Sequence, residues 1–325
     1  MATVITNLLS AIPYFGQDLV ELKFQIFTEN FTVFGNKVYT NTVPALLPTI
    51  GTVSIHALKK GRQLRLDKKE YLLIPYQFIS FLAGIIDGGG YIQITKTTKG
   101  FIAIKLVIGL SLEDLSILEY IYSVLKLGKI TIKKDLKNPN CKLIINRTDL
   151  QEVVFPLLIH HNIFFLTKTR REQFDLAMYI FNNNIKSFYN IPNLNGFSVL
   201  FKLPDTASEY LNLKFFKNWL VGFTNAEGSF LIKANKDGCF QLKQRIHVQL
   251  FEAFKLLFET KRNIGIENDK FNHFSVSSKA DIQKVINFFS FSGLHPLIGL
   301  TNIQYFKWLN NLQNSYRYKN LNFPK

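Results

Sequence analysis

Cysteine is nearly absent from this 325-residue chain, which has only Cys141 and Cys239. Two thiols exclude a disulfide framework and a cysteine-based zinc site, and they fit a reducing compartment. The six histidines (His56, His160, His161, His247, His273 and His295) lack metal-ligand spacing, so no metal centre is built from imidazole. Acids are scarce: 23 Asp and Glu stand against 39 Lys and Arg, a net charge of +16. Such an excess points to a long polyanion as partner, nucleic acid first. Uninterrupted apolar runs of membrane-spanning length are missing too. Met1–Gln17 carries Pro13 and Gly16, and Val38–Leu58 carries Pro44, Pro48 and several threonines, so neither reads as transmembrane and no stable membrane insertion is expected. Met1 is followed by no basic n-region, which excludes a standard signal peptide.

What is present is apolar and aromatic. At 47% hydrophobic and 14% aromatic residues, the composition is that of packed globular modules, and the length favours two of them. FISFLAGIIDGGGYIQI, beginning at Phe78, aligns with FKNWLVGFTNAEGSFLI, beginning at Phe216, 138 residues later. Leu82 meets Leu220, Gly84 meets Gly222 and Gly90 meets Gly228. That period is too long for a solenoid, so two similar domains form a pseudo-dimer within one chain.

Each copy continues with two strands, a helix, two shorter strands and a helical tail. In the first copy Ser111 reads as the N-cap of a helix over 112–127 with Asp114 at its third position, and Gly128 as its stop. Thr148 with Gln151 offers a capping box for the next helix. In the second copy the alternation over 241–250 predicts a strand with Gln241, Lys243, Arg245, His247 and Gln249 on a wet face, and Leu242, Ile246, Val248 and Leu250 on a dry one. Lys129, Thr131 and Lys133 repeat the pattern in the first copy. Asn182–Asn212, with Pro192, Gly196 and Pro204, reads as the linker. A basic run, Lys59 to Lys69, precedes the first copy and reads as a tether or a phosphate contact.

Gly84 and Gly88 in one motif helix, Gly222 and Ala226 in the other, are four residues apart and share a face on which two helices can approach closely. Leu82 to Gly90 and Leu220 to Gly228 resemble the two signature motifs of the LAGLIDADG homing endonucleases and intron maturases. The resemblance covers Pro75 to Lys325. It implies an α+β fold of two pseudo-symmetric αββαββα domains, with saddle-shaped antiparallel sheets on nucleic acid and a central motif-helix interface. It also implies Mg²⁺ held by one carboxylate from each helix, at the eighth motif position. That position is Glu227 in the second motif but Gly89 in the first, so one acid is missing. Asp87, about 200° around the helix from position 89, is assigned a helix-end hydrogen bond in preference to a catalytic role. Gly88 is expected to keep the close-packed face and Gly90 to end the helix, while no packing need calls for Gly89.

The family also places a lysine near the scissile phosphate before an aromatic of the last helix. Thr167 to Arg171 before Phe174 keeps basic groups there; Thr301 and Asn302 before Tyr305 do not. Candidate nucleic-acid contacts are Gln93, Lys96, Lys129, Lys133, Lys168, Arg170, Lys233, Lys243, Arg245 and His247. Ala2 to Glu21 resembles a segment of mitochondrial cytochrome b, which points to a reading frame inside a cytochrome b intron and to the mitochondrial matrix. The expected organisation is an exon-derived leader over 1–21, an intron-encoded lead-in over 22–74, domains over 75–185 and 213–325, and a linker over 186–212. A monomer is expected. A maturase that binds its group I intron RNA is the preferred reading, since it needs a basic surface and no intact nuclease centre. A DNA endonuclease or nickase acting on the intronless gene is the alternative. Whether the chain is an enzyme stays open.

Overall fold

The computed structural model describes residues 65–134, 137–192 and 201–324, which fall within one compact unit, Gln63–Pro324. The expected leader over 1–21 and most of the lead-in over 22–74 lie outside the described residues. The body is already under way before Pro75. A short helix, α1 (Lys68–Leu72), opens with a capping box between Asp67 and Glu70, and buries Tyr71 in the core.

Both halves have the expected αββαββα order. In the first, the motif helix α2 (Tyr76–Gly89) leads into β1 (Gly90–Lys96), β2 (Ile102–Ser111), α3 (Leu115–Leu125), β3 (Lys129–Lys133) and β4 (Asn140–Asn146). Helical turns from Arg147 follow, ending in α4 (Phe155–His160), and α5 (Lys168–Asn182) closes the half. In the second, after α6 (Ala207–Leu211), the motif helix α7 (Phe216–Glu227) leads into β5 (Gly228–Ile232), β6 (Gly238–Arg245), α8 (Val248–Leu257), β7 (Gly265–Glu267), β8 (Phe271–Val276), α9 (Lys279–Ile286) and α10 (Gly299–Gln313). The antiparallel sheets run β1-β2-β4-β3 and β5-β6-β8-β7, the same order twice. Each presents one face to the helices, where Ile92, Ile104, Leu106 and Leu143, or Phe240, Leu242 and Phe274, are buried. None of the helices among the described residues is long and apolar enough to cross a membrane.

The motif helices meet backbone to backbone. A Cβ on Gly84 would lie 2.0 Å from the carbonyl oxygen of Trp219, and one on Gly222 would lie 1.9 Å from that of Phe81. Only glycine permits this approach. One turn on, a Cβ on Gly88 would lie 2.5 Å from the Cβ of Ala226 and 3.0 Å from Cγ of Glu227. The shared face read from the four-residue spacing is therefore the interface, and the C-terminal ends of both helices come together.

Local expectations fail where a polar residue had two roles open to it. Gly90 does end its helix, in extended conformation at φ −109°, and glycine is required there because a Cβ would lie 2.9 Å from Cα of Ile86. Ser111 caps no backbone N–H; a 3₁₀ turn at Leu112–Asp114 intervenes, and the Ser111 hydroxyl donates to Asp114 at 2.9 Å. The helix ends at Leu125, with Lys126 left-handed at φ 54°, two residues before Gly128. The next helix is capped by Asn146, which accepts from the Asp149 N–H at 3.1 Å, and not by Thr148. The strand expected over 241–250 runs from Gly238 to Arg245. Beyond Arg245, Ile246 and Val248 are exposed, and α8 begins at Val248 and buries Leu250.

Candidate functional site

Burial and hydrogen bonding separate the acids at the motif-helix ends. Asp87 is fully buried and accepts four hydrogen bonds: from the N–H of Leu166 (2.7 Å), from the N–H and hydroxyl of Thr167 (3.2 and 2.6 Å), and from the indole of Trp219 (2.8 Å). It thereby secures the start of α5 and ties α2 to α7. Burial pushes its pKa up to about 6, while those donors pull it down. No lone pair faces solvent, so Asp87 has the helix-end role assigned from the sequence. Its counterpart Asn225 does the same work in the second half. Asn225 Nδ2 donates to Ile298 O at 2.7 Å, and the Thr301 hydroxyl donates to Asn225 O at 3.3 Å.

Glu227 differs. It is half-buried at the last position of α7 and has no hydrogen bond or ion pair among the described residues. Burial pushes its pKa up to about 7, opposed by the nearby Arg170 guanidinium. Arg170 reaches this place from α5, where its Nε donates to Ile86 O at 3.3 Å. Its own pKa is lowered by burial and raised by Asp87 and Glu227. An unpaired, charge-ready carboxylate beside an arginine at a helix end is an arrangement with a use.

The pseudo-symmetric place is stripped. α5 and α10 align from Lys168 and Gly299, which sets Thr301 opposite Arg170 in the repeat, and Thr301 is buried and bonded to Asn225. At Gly89 a Cβ would lie 3.7 Å from that of Ala226 and 3.1 Å from a Leu110 methyl, so a side chain fits once Leu110 yields by a few tenths of an ångström. No backbone demand holds glycine there. Of two acid positions and two cation positions, one of each is filled, and the filled ones face each other.

Magnesium needs several oxygen ligands in near-octahedral array. The described residues contain no group of three or more His, Cys, Asp or Glu able to hold a metal ion. A single carboxylate beside an arginine does not fit the ion pair that the family resemblance implies.

The remaining candidates divide by sheet face. Gln93, Lys129, Lys133, Lys243 and Arg245 share the sheet faces turned away from the helices, as side-chain alternation from the buried positions requires, while Lys233 opens the turn after β5. Lys105 and Lys142 join them. Lys105 escaped the sequence reading because β2, IAIKLVIGLS, is apolar on both faces and hides its period. On the first face Lys105, Lys129, Lys133 and Lys142 have no acidic partner among the described residues. On the second, Lys243 is neutralised by Glu267 at 2.7 Å. Three further candidates lie elsewhere. Lys96 shares the face of Ile92 and Ile94 and so sits on the side opposite Gln93, at the hairpin tip. Lys168 is exposed beside Glu172 at 3.9 Å. His247 is the N-cap residue of α8, its N–H donating to Asn272 at 2.6 Å and its ring edge-on to Tyr210, so it is no part of the wet face. Arg171, next to Arg170, turns inward onto Asp175 at 3.0 Å.

Two αββαββα units joined through glycine-paired helices, with exposed basic sheet faces and an acid at the shared helix end, define a double-motif, pseudo-symmetric α+β fold. The model of the LAGLIDADG endonuclease family matches residues 82–191. Among curated proteins, the probable intron-encoded endonuclease aI3 of Debaryomyces hansenii is 24% identical over 268 residues; this chain spans 37% of its length, and the match covers 72% of this chain. Among solved structures, I-SmaMI bound to uncleaved DNA has a TM-score of 0.55 at 19% identity, covering 73% of this chain and 91% of that one. I-LtrWI bound to target DNA scores 0.57 at 17% identity, covering 74% and 90%. Residues 82–191 thus carry a LAGLIDADG endonuclease domain, and the second half of the described residues repeats its sheet order.

Proposed function

We propose that this protein docks on nucleic acid through its two wet sheet faces and retains half of a nuclease centre, Glu227 with Arg170. The observation that carries this reading is the coexistence of an un-neutralised basic face with an acid position emptied at Gly89. The first-choice substrate is double-stranded DNA, a choice supported by the solved relatives that are bound to DNA. A centre with one acid would cut at most one strand, because removing charge stabilisation worth several kcal/mol slows a step by orders of magnitude. The exon-like leader supports the intronless cytochrome b gene as the target and the mitochondrial matrix as the place. The fused halves support action as a monomer.

A second reading is favoured by the same losses. Gly89 and Thr301 empty one half of the centre while every interface glycine is kept, as suits a maturase that grips its group I intron RNA and leaves catalysis to the RNA. Both readings use the first sheet face. Binding measured against salt, on duplex DNA of the joined exons and on precursor RNA, tests them. Lys105→Ala with Lys142→Ala is expected to flatten the salt dependence on DNA by about two logarithmic units per decade, one for each lost phosphate contact. An unchanged slope would place docking elsewhere. The tighter of the two nucleic acids at equal salt identifies the principal partner.

A further inference from the structure

The tip of the first hairpin carries an arrangement that neither the helix-end site nor the wet face uses. β1 and β2 are joined by a tight turn in which the Thr97 N–H donates to Phe101 O at 2.8 Å and the Gly100 N–H to Thr97 O at 2.9 Å. Gly100 has φ +81°, so glycine is required. The chain comes back to this turn after α5. Ile102 N–H donates to Lys186 O at 3.0 Å, Phe188 N–H donates to Gly100 O at 2.9 Å, and Phe101 bridges Ser187. These bonds pin the start of the expected linker onto the tip and fix Tyr189 there. Cε2 of Tyr189 lies 3.7 Å from the point where a Cβ on Gly100 would sit. Lys96 Nζ donates to its hydroxyl at 2.9 Å and lies 4.9 Å from its ring centroid.

Held this firmly, Tyr189 is nevertheless 74% exposed. An aromatic ring that is immobilised yet unburied offers contact area whose ordering cost is already met. Its surroundings are basic: Lys96, Lys99 and Lys186 are exposed and have no acidic partner among the described residues. Lys96 sits on the side of the sheet opposite Gln93 and Lys105, so a duplex lying on the wet face would leave this ring free. A fully paired duplex also has no free base face to offer. Folded RNA displays unpaired bases in loops and bulges, and proteins read them by stacking on aromatics, with cations on the flanking phosphates.

We infer that Tyr189, braced by Lys96, is a stacking site for one unpaired RNA base, with Lys99 and Lys186 holding the flanking phosphates. This rests on the RNA-binding reading above. The test uses the full chain and three probes: an RNA hairpin with 2-aminopurine in its loop, the same stem as a blunt RNA duplex, and duplex DNA of the joined exons. The hairpin is expected to bind more tightly than the blunt RNA, with a change in 2-aminopurine fluorescence. Tyr189→Ala should weaken hairpin binding by about 5- to 150-fold, the range for one lost base stack. Tyr189→Phe should stay within roughly twofold, since the ring is kept. DNA binding should be unchanged in both. If Tyr189→Ala binds the hairpin as the parent does, the stacking site is wrong while the RNA reading stands. If it weakens DNA binding equally, the tip is a general contact and the inference also fails. If the parent binds DNA but neither the hairpin nor precursor RNA, the RNA reading falls and the stacking site falls with it.

Discussion

Gly222→Ala is expected to abolish the folded body, although it adds a single methyl group. That methyl would lie 1.9 Å from the Phe81 carbonyl oxygen and 3.1 Å from the Ile85 N–H nitrogen, both backbone atoms of the opposing helix. Backbone cannot yield as a side-chain end can, so the helices must separate along a shared face that buries Phe81, Ile85, Trp219 and Phe223. Overpacking of this kind exceeds the ordinary range of point substitutions, at more than about 4–5 kcal/mol. That is a large part of the roughly 5–15 kcal/mol holding a domain folded. Gly84→Ala should do the same. Gly109→Ala is the control: its Cβ would meet only the Lys142 side chain, at 3.8 Å, and thermal unfolding should shift little. A soluble Gly222→Ala protein with parental melting would refute the close-packed interface.

The second large effect contrasts the two acids. Asp87→Asn keeps shape but places an amide N–H₂ against donors, since both carboxylate oxygens are occupied by N–H or O–H groups from Leu166, Thr167 and Trp219. An unmatched buried donor is expected to cost about 1–3 kcal/mol here, to be read by urea unfolding. Glu227→Gln should instead stabilise, and only at high pH. The folded-state pKa of about 7 lies above the ordinary glutamate value of 4.5, so the native protein keeps a proton that the unfolded chain releases between those values. Its stability therefore falls as pH rises through that window, and glutamine removes the fall. At pH 5 or below the variant and parent should be close, and by pH 8 the variant should be the more stable. The opposite ordering would mean that Glu227 has a structural partner.

Much of this was legible in the sequence because the informative residues repeat. Two copies of the motif reveal the pseudo-symmetry and the shared glycine face and set Gly89 against Glu227, none of which depends on long-range geometry. What stayed hidden depends on which neighbour a side chain meets. Lys168, Arg170 and Arg171 are close in sequence, yet only the helical phase of α5 decides that Arg170 faces Glu227 while Arg171 turns inward. Alternation over 241–250 continues past the strand because Ile246 and Val248 are apolar, but they are exposed and His247 begins a helix. Asn146 and Thr148 are both good caps, and tertiary packing selects the first. The pairing of Tyr189 with Lys96 spans 93 residues and leaves no local pattern.

Supercoiled plasmid carrying the joined cytochrome b exons, incubated with purified protein and Mg²⁺, tests the half-emptied centre most directly. Open-circular DNA or none is expected from the parent, and faster nicking or the first linear product from Gly89→Asp. Linear DNA as the main product of the parent protein would contradict it.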